Sequence, residues 1–331
     1  MKIALIGRTA MLYRTAERLL SAGHTLGCIV TAAASPEYEA GPDEFRLLAE
    51  NNHADYFFSS SLKKPEIRRS LAQCDIAVSI NWVSVITGEE TSLLRLGILN
   101  AHCGDLPKYR GNACPNWAIL NGEDEVVLSI HRMEGGKLDC GKIIAQEHFS
   151  LKPRKKIGDV YEWLEKTIPE LFQRSVTLLD KDPGYSLKYA DPEAPDSFRC
   201  YPRMPEDGWI DWTGSAEEID ALVRASGRPF AGAYCYFEES GRIRKLIVWD
   251  AEPEPAPFHD LAVPGQILRN DRTSGKSFIC CGGHSVLALL NCQYADEDES
   301  FAPGKVWKTI RRRLTVRAED VLWKLQMQEG K

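Results

Sequence analysis

Lys2-Ile-Ala-Leu-Ile-Gly7 is a short β-forming run that ends in glycine. The stretch after it carries Ala16, Leu19 and Leu20 on one helical face, Gly23 follows, and a second apolar run covers Leu26 to Val30. Strand, helix and strand in that order make a βαβ opening. Outward from it, Asp75 to Trp82 supplies a third buried strand and Leu96 to His102 a fourth, each preceded by a helical segment. The first half of the chain therefore reads as a parallel α/β sheet wrapped by helices. An open sheet of this kind binds ligands beyond the carboxyl ends of its strands, so chemistry is expected there. Gly7-Arg-Thr-Ala10 is no G-x-G-x-x-G phosphate loop, since Gly7 alone matches, and it lends little support to a dinucleotide.

Ile157 to Asp180 has helical periodicity closed by Asp182-Pro-Gly184, and Asp191-Pro-Glu-Ala-Pro-Asp196 has linker composition. A boundary near residue 200 follows, giving domains 1–200 and 201–315 and a tail 316–331. In the second domain Ala216 to Arg224 reads as one helix, N-capped by Ser215 with Glu218 three residues on. Short alternating runs (Ala233–Phe237, Lys245–Trp249, Gln266–Leu268, Ser277–Cys281, Val286–Leu290) separated by turn residues suggest a small β-barrel. Trp209, Trp212 and Tyr234 are expected in its core. Lys305, Lys308 and Arg311-Arg-Arg313, alternating with Val306, Ile310 and Leu314, read as the exposed face of a terminal helix.

Composition limits the functional classes. The 331 residues are 44% hydrophobic with a net charge of -6, and no stretch approaches the roughly 18–20 apolar residues of a membrane span. The amino terminus does not read as a secretory signal. The ten cysteines are scattered without C-x-x-C spacing, as expected of small buried hydrophobes in the reducing cytoplasm. Net acidity disfavours a long polyanion.

The densest chemical stretch is Leu99-Asn-Ala-His-Cys-Gly-Asp-Leu-Pro-Lys-Tyr-Arg-Gly111. Asn100 and His102 are two apart, so on a strand they project from one face and can address one oxygen. After a strand-like run from Val126 to Ile130 comes Gly135-Gly-Lys-Leu-Asp-Cys-Gly141, which places Asp139 in a glycine-rich loop. A carboxylate near an imidazole fixes its tautomer and favours its cation. A zinc site from His102, Cys103, Cys114 and Cys140 is disfavoured because consecutive strand residues point opposite ways, and no metal is expected.

Asn100-x-His102, Leu106-Pro-Lys-Tyr-Arg-Gly111 and Leu138-Asp139-x-Gly141 together resemble the active-site signature of the formyltransferases that use N10-formyltetrahydrofolate. Arg203 to Trp212, Ala216-Glu-Glu-Ile219, Val223-Arg-Ala225 and Pro229-x-Ala-Gly-Ala233 resemble the start of the second domain in methionyl-tRNA and sugar N-formyltransferases. Pro264-Gly-Gln-Ile267 and Cys281-Gly-Gly283 resemble its later strands. The resemblance implies a Rossmann-like domain followed by an OB-like barrel, and is compatible with a homodimer. It implies that Asn100 and a protonated His102 donate to the formyl oxyanion while Asp139 holds His102 and takes up or relays the amine's proton. It further implies a pterin pocket lined by Ser84, Val85 and Ile86 after the third strand, with Gly136 and Leu138 opposite. Asp105, Lys108 and Arg110 would face the acceptor. The family loop commonly reads His-x-Ser-Leu-Leu-Pro, whereas Gly104 and Asp105 stand here for Ser and Leu.

The tRNA enzyme of this family carries a basic loop after its second strand. Here Ala32 to Asp55 holds Glu37, Glu39, Asp43, Glu44, Glu50 and Asp55 against Arg46 alone. Asn112-Ala-Cys-Pro-Asn-Trp117 and His131-Arg-Met133 resemble sugar formyltransferases at least as closely. The expected acceptor is an amino sugar on a nucleoside diphosphate, with no nucleic acid and no membrane as partners. Methionyl-tRNA, an amino acid or hydroxyornithine are same-chemistry alternatives; a formyltetrahydrofolate hydrolase and a non-catalytic binding module are the other classes.

Overall fold

The structure, a computed structural model, describes residues 1–33, 40–239, 242–254, 261–314, 322–323 and 326–327. Glu37 and Glu39, and the tail 316–331 apart from 322–323 and 326–327, lie outside the described residues. Contacts divide the chain into two compact units, one of Met1–Cys114, Glu125–Ser150 and Val160–Pro202, the other of Pro115–Asp124, Leu151–Asp159 and Arg203–Lys331.

The first unit is built on β1 (Lys2–Gly7), α1 (Ala10–Ser21), β2 (Thr25–Thr31), α2 (Pro42–Asn51), β3 (Asp55–Phe58), α3 (Pro65–Leu71), β4 (Ile76–Ile80), α4 (Gly88–Thr91) and β5 (Ile98–Cys103). After β6 (Tyr109–Gly111) and the start of α5 (Cys114–Leu120) come β7 (Glu125–Met133), β8 (Gly141–Ser150), most of α6 (Ile157–Lys181), β9 (Lys188–Ala190) and β10 (Phe198–Cys200). The main sheet runs β3-β2-β1-β4-β5-β7-β8-β9. Continuous apolar runs such as Ile3 to Ile6 and Ile76 to Val78 are fully buried, as strands covered on both faces require.

Two expectations need correction. The sheet is mixed, because β7, β8 and β9 add antiparallel beyond β5. A hairpin joins β7 to β8 where a parallel partner would need a crossover. Asp55-Tyr-Phe-Phe58 is also a strand, so the runs read as third and fourth are β4 and β5. As an edge strand it leaves Phe58 56% exposed and shows no continuous buried run.

In the second unit α7 (Ala216–Ser226) starts as its sequence predicts. Ser215 Oγ accepts from the Glu218 amide at 3.2 Å, and the Glu218 carboxylate accepts from the Ser215 amide at 2.7 Å. It packs on the strand spanning Arg242–Pro253 in a curled, antiparallel half-barrel. The strands are β11 (Ala233–Glu239), β12 (Arg242–Pro253), β13 (Ile267–Asn270), β14 (Ser277–Cys280), β15 (Val286–Tyr294) and β16 (Ser300–Phe301), in the order β11-β12-β15-β14-β13 with β16 against β15. Trp212, Val223, Phe237, Leu246 and Leu289 form part of its core.

The predicted terminal helix is replaced by one turn, α8 (Pro303–Val306). Trp307 and Leu314 are buried in the half-barrel core, which draws the chain along the sheet edge. There Gln266 bridges Arg313 and the Leu314 amide donates to Gly265 at 2.7 Å. Trp212 and Tyr234 are buried as expected, but Trp209 is about one-third exposed and meets Tyr234 edge-on. No described helix is long and apolar enough to cross a membrane.

Candidate active site

Asn100 and His102 lie on β5, where antiparallel pairing sets His131 of β7 opposite Asn100 and Ser129 opposite His102. The His102 ring is nearly buried, and both nitrogens face acceptors: Nδ1 is 3.5 Å from Asp139 Oδ2, and Nε2 donates to the Tyr109 carbonyl at 2.7 Å. The Cys114 sulfur is 3.7 Å from Nε2. A hydrogen bond with Cys200, and then burial, push the Cys114 thiol well up, so it stays a neutral neighbour.

Asp139 occupies the left-handed backbone region, with φ 46°, in the loop between β7 and β8. This conformation costs a non-glycine residue of the order of 1 kcal/mol and persists where its surroundings hold it. The Gly111 amide donates to Asp139 Oδ2 at 2.8 Å, fixing the carboxylate against the loop that carries Tyr109. The three residues expected to do chemistry are thus brought together by β5 and two loops.

His131 completes the cluster. Its ring is 1% exposed, its Nδ1 donates to the Cys140 carbonyl at 3.0 Å, and its Nε2 is 3.3 Å from Asn100 Nδ2 and 3.9 Å from Asp139 Oδ1. Burial lowers its pKa to about 4 against the opposing pull of Asp139. Neither spacing nor the family resemblance gives His131 a role. The available signal was polar Ser129 and His131 two apart in the otherwise apolar stretch from Val126 to His131, which places both on one buried face.

The expected pterin-side segments do meet, although 84–86 follows β4, the fourth strand. The Gly136 amide donates to the Ile86 carbonyl at 2.9 Å. Gly135 lies so close to Thr87 and Gly88 that a Cβ would fall 2.1 Å from the Gly88 nitrogen. Ser84 is exposed, Ile86 is buried, and Val85 and Leu138 present aliphatic surface to solvent.

On the expected acceptor side, Asp105 pairs with Lys188 Nζ at 3.7 Å. Lys108 Nζ lies 5.3 Å from the Tyr109 ring centroid. Arg110 is a brace within the chain, with Nε donating to Ser197 Oγ at 2.9 Å and the other nitrogens to the carbonyls of Leu138 and Pro192 at 3.4 Å. Among the described residues no group of three or more His, Cys, Asp or Glu side chains is disposed to hold a metal ion.

Residues 1–176 match the formyl transferase family, and residues 203–300 match the formyl transferase C-terminal domain. The bifunctional polymyxin resistance protein ArnA of Wigglesworthia glossinidia brevipalpis is 29% identical over 230 residues, which are 67% of this chain; the match spans only 32% of that protein's length. The N-formyltransferase from Helicobacter canadensis, solved with folinic acid and dTDP-3-aminofucose, is similar at TM-score 0.65 and 16% identity over 89% of this chain and 99% of that one. WlaRD, a sugar 3N-formyl transferase solved with dTDP and 5-N-formyl-THF, is similar at TM-score 0.61 and 15% identity over 90% and 98% of the two chains. At such identities the structural likeness speaks for the fold.

Proposed function

The chain belongs to the formyl transferase family, and we propose that it moves a formyl group from N10-formyltetrahydrofolate to the primary amine of a sugar carried on a nucleoside diphosphate. The observation that carries this reading is the convergence of Asn100, His102 and Asp139 at the end of β5. Ser84, Val85 and Ile86 on one side and Gly136 and Leu138 on the other would hold the folate. When bound, it supplies an electrophilic formyl carbon whose oxygen gathers negative charge as the amine adds. Asn100 donates an N–H to that oxygen. Both His102 ring nitrogens face other acceptors, Asp139 and the Tyr109 carbonyl, so the hydrogen bond to the oxygen expected of it gives way to the positive field that the ring adds when protonated. As the carbonyl re-forms, the bond from the formyl carbon to N10 breaks and tetrahydrofolate leaves, while Asp139 takes up or relays the proton that the amine loses, to be regained by N10.

Charge supports the choice of a small acceptor. In α2 the lone cation, Arg46, is already paired with Asp43 at 3.5 Å and Glu50 at 2.8 Å, leaving a helix with no free positive charge for a phosphate backbone. The Helicobacter canadensis relative, solved with an amino sugar on a nucleotide, supports the same class. Asp105 and Lys108 would meet the acceptor, and the buried free cysteines suit a cytoplasmic enzyme.

The test is consumption of N10-formyltetrahydrofolate with a panel of nucleotide-linked amino sugars, with methionyl-tRNA, and with no amine. Turnover that needs an amino sugar supports the reading, and His102→Ala should abolish it while leaving the fold intact. Equal consumption without any amine would make the protein a hydrolase, and turnover with tRNA alone would overturn the acceptor.

A further inference from the structure

We propose that His131 is a positioning residue that fixes the orientation of the Asn100 side-chain amide, holding one Nδ2 hydrogen so that the other faces the formyl oxygen. The proposal rests on the functional reading above and adds to it the device that gives Asn100 its direction.

A side-chain amide keeps nearly the same shape when it flips by half a turn, but the flip exchanges donor for acceptor. With Oδ1 toward the developing oxyanion, Asn100 would repel the charge it has to stabilise. Something must therefore select one orientation. Cross-strand pairing places His131 directly opposite Asn100, and the buried ring touches the amide with Nε2 at 3.3 Å.

The tautomer of that ring follows from its other contact. The Cys140 carbonyl, 3.0 Å from Nδ1, can only accept, so Nδ1 carries a hydrogen. The charged groups facing the ring are Asp139 from the β7–β8 loop and His102 from β5, and burial outweighs the carboxylate in keeping the ring neutral. Nε2 then has a lone pair and no hydrogen. The contact with Asn100 can only be Nδ2–H donating to Nε2, because Oδ1 in that place would set two lone pairs against each other. Asp139 Oδ1 lies 3.9 Å from Nε2, beyond hydrogen-bonding distance, and does not compete. The amide's second N–H has no partner among the described residues.

The backbone is shaped for this contact. The pairing of β7 with β8 shifts register between Ile130 and His131, and such irregularities re-aim side chains. Cys140 directly follows Asp139, so one ring ties the loop that carries the carboxylate to the strand that carries the amide.

Two measurements test this. The first is the imidazole nitrogen spectrum of the labelled wild-type protein, which should show His131 as a neutral ring protonated at Nδ1 around pH 6.5, where an ordinary histidine titrates. A hydrogen on Nε2, or titration like that of an exposed histidine, overturns the proposal. The second is a set of variants assayed for formyl transfer. His131→Leu should lower kcat by up to about 10²-fold with KM nearly unchanged, since the reacting geometry is lost while binding surfaces persist. His131→Gln, whose Oε1 can accept from Asn100, should restore most of the rate. On the background of Asn100→Ala, His131→Leu should cost nothing further; a full, additive loss there overturns the proposal. If the wild-type protein formylates no amine, the functional reading fails, and the spectrum still decides the state of His131.

Discussion

Gly104 is where the immediate surroundings of His102 are decided. A Cβ on it would lie 2.2 Å from the Tyr109 carbonyl oxygen and 2.5 Å from His102 Nε2, so a side chain and this imidazole cannot both be present without displacement. The substitution of Gly for the Ser common in similar loops therefore goes with a histidine folded over the loop. Gly104→Ser should push the ring off Tyr109, lower kcat by about tenfold or more and destabilise the fold by about 1–3 kcal/mol through overpacking, read by turnover and by urea unfolding. A variant with the full wild-type rate would show that His102 works from another rotamer. At this scale the placement of Asn100 and His102 on one face was legible, because two-residue spacing on a strand is enough to put two side chains there, whereas Asp139 joined them only through the resemblance of its loop. The parts played by His131 and Arg110 were not. They depend on a cross-strand partner and on the carbonyls of Leu138 and Pro192, which no local pattern announces.

At the scale of elements, the 134–138 loop and the segment after β4 approach backbone to backbone, and Gly135 permits it. With a Cβ 2.1–2.4 Å from the Thr87 and Gly88 backbone, Gly135→Ala must part the two loops. Val85 and Leu138, carried on those loops, are proposed to flank the pterin, whereas Asn100 and His102 sit on the rigid strand β5. The expected result is a weaker Kd for the folate by about tenfold, or about 1.4 kcal/mol, with a smaller change in kcat; titration with folinic acid measures it, and unchanged affinity would remove these loops from the pocket. Strand legibility followed burial. β1, β2 and β4 are largely buried apolar runs and stood out, whereas β3, a half-exposed edge of four residues, did not. The basic run near 305–313 imitated a helix because its charges alternate with apolar residues. Trp307 and Leu314 are its true anchors, and they hold an extended edge that a single-element pattern cannot foresee.

For the molecule as a whole, net charge said little and the placement of individual charges says more. The βαβ opening and the half-barrel were legible because periodicity survives in isolated segments; the antiparallel strands β7, β8 and β9 of the main sheet were not, since strand direction is set by connections. The buried, neutral His131 extends the placement of charge to stability against pH. Its pKa is about 4 when folded and about 6.5 in an unfolded chain. Between these values the unfolded chain binds a proton that the folded one refuses, so stability is fully present above about pH 6.5 and is lost as pH falls toward 4, by roughly 3 kcal/mol in all. His24, also lowered by burial, acts in the same direction. The carboxylates of Asp75, held down by the Lys2 amide and Arg95, and of Asp211, held down by Thr213, lose their contribution only as pH falls below their ordinary value of 3.8. The two windows are therefore separable. Urea unfolding of the wild-type protein between about pH 7 and about pH 4.5 should show the loss, and His131→Gln should flatten that part of the curve while leaving the steeper decline at lower pH. The sequence isoelectric point, near 5.8, falls inside the window, so dilute protein is needed to keep self-association from masking the slope. Curves of equal slope for the two proteins would mean that His131 titrates as an ordinary histidine.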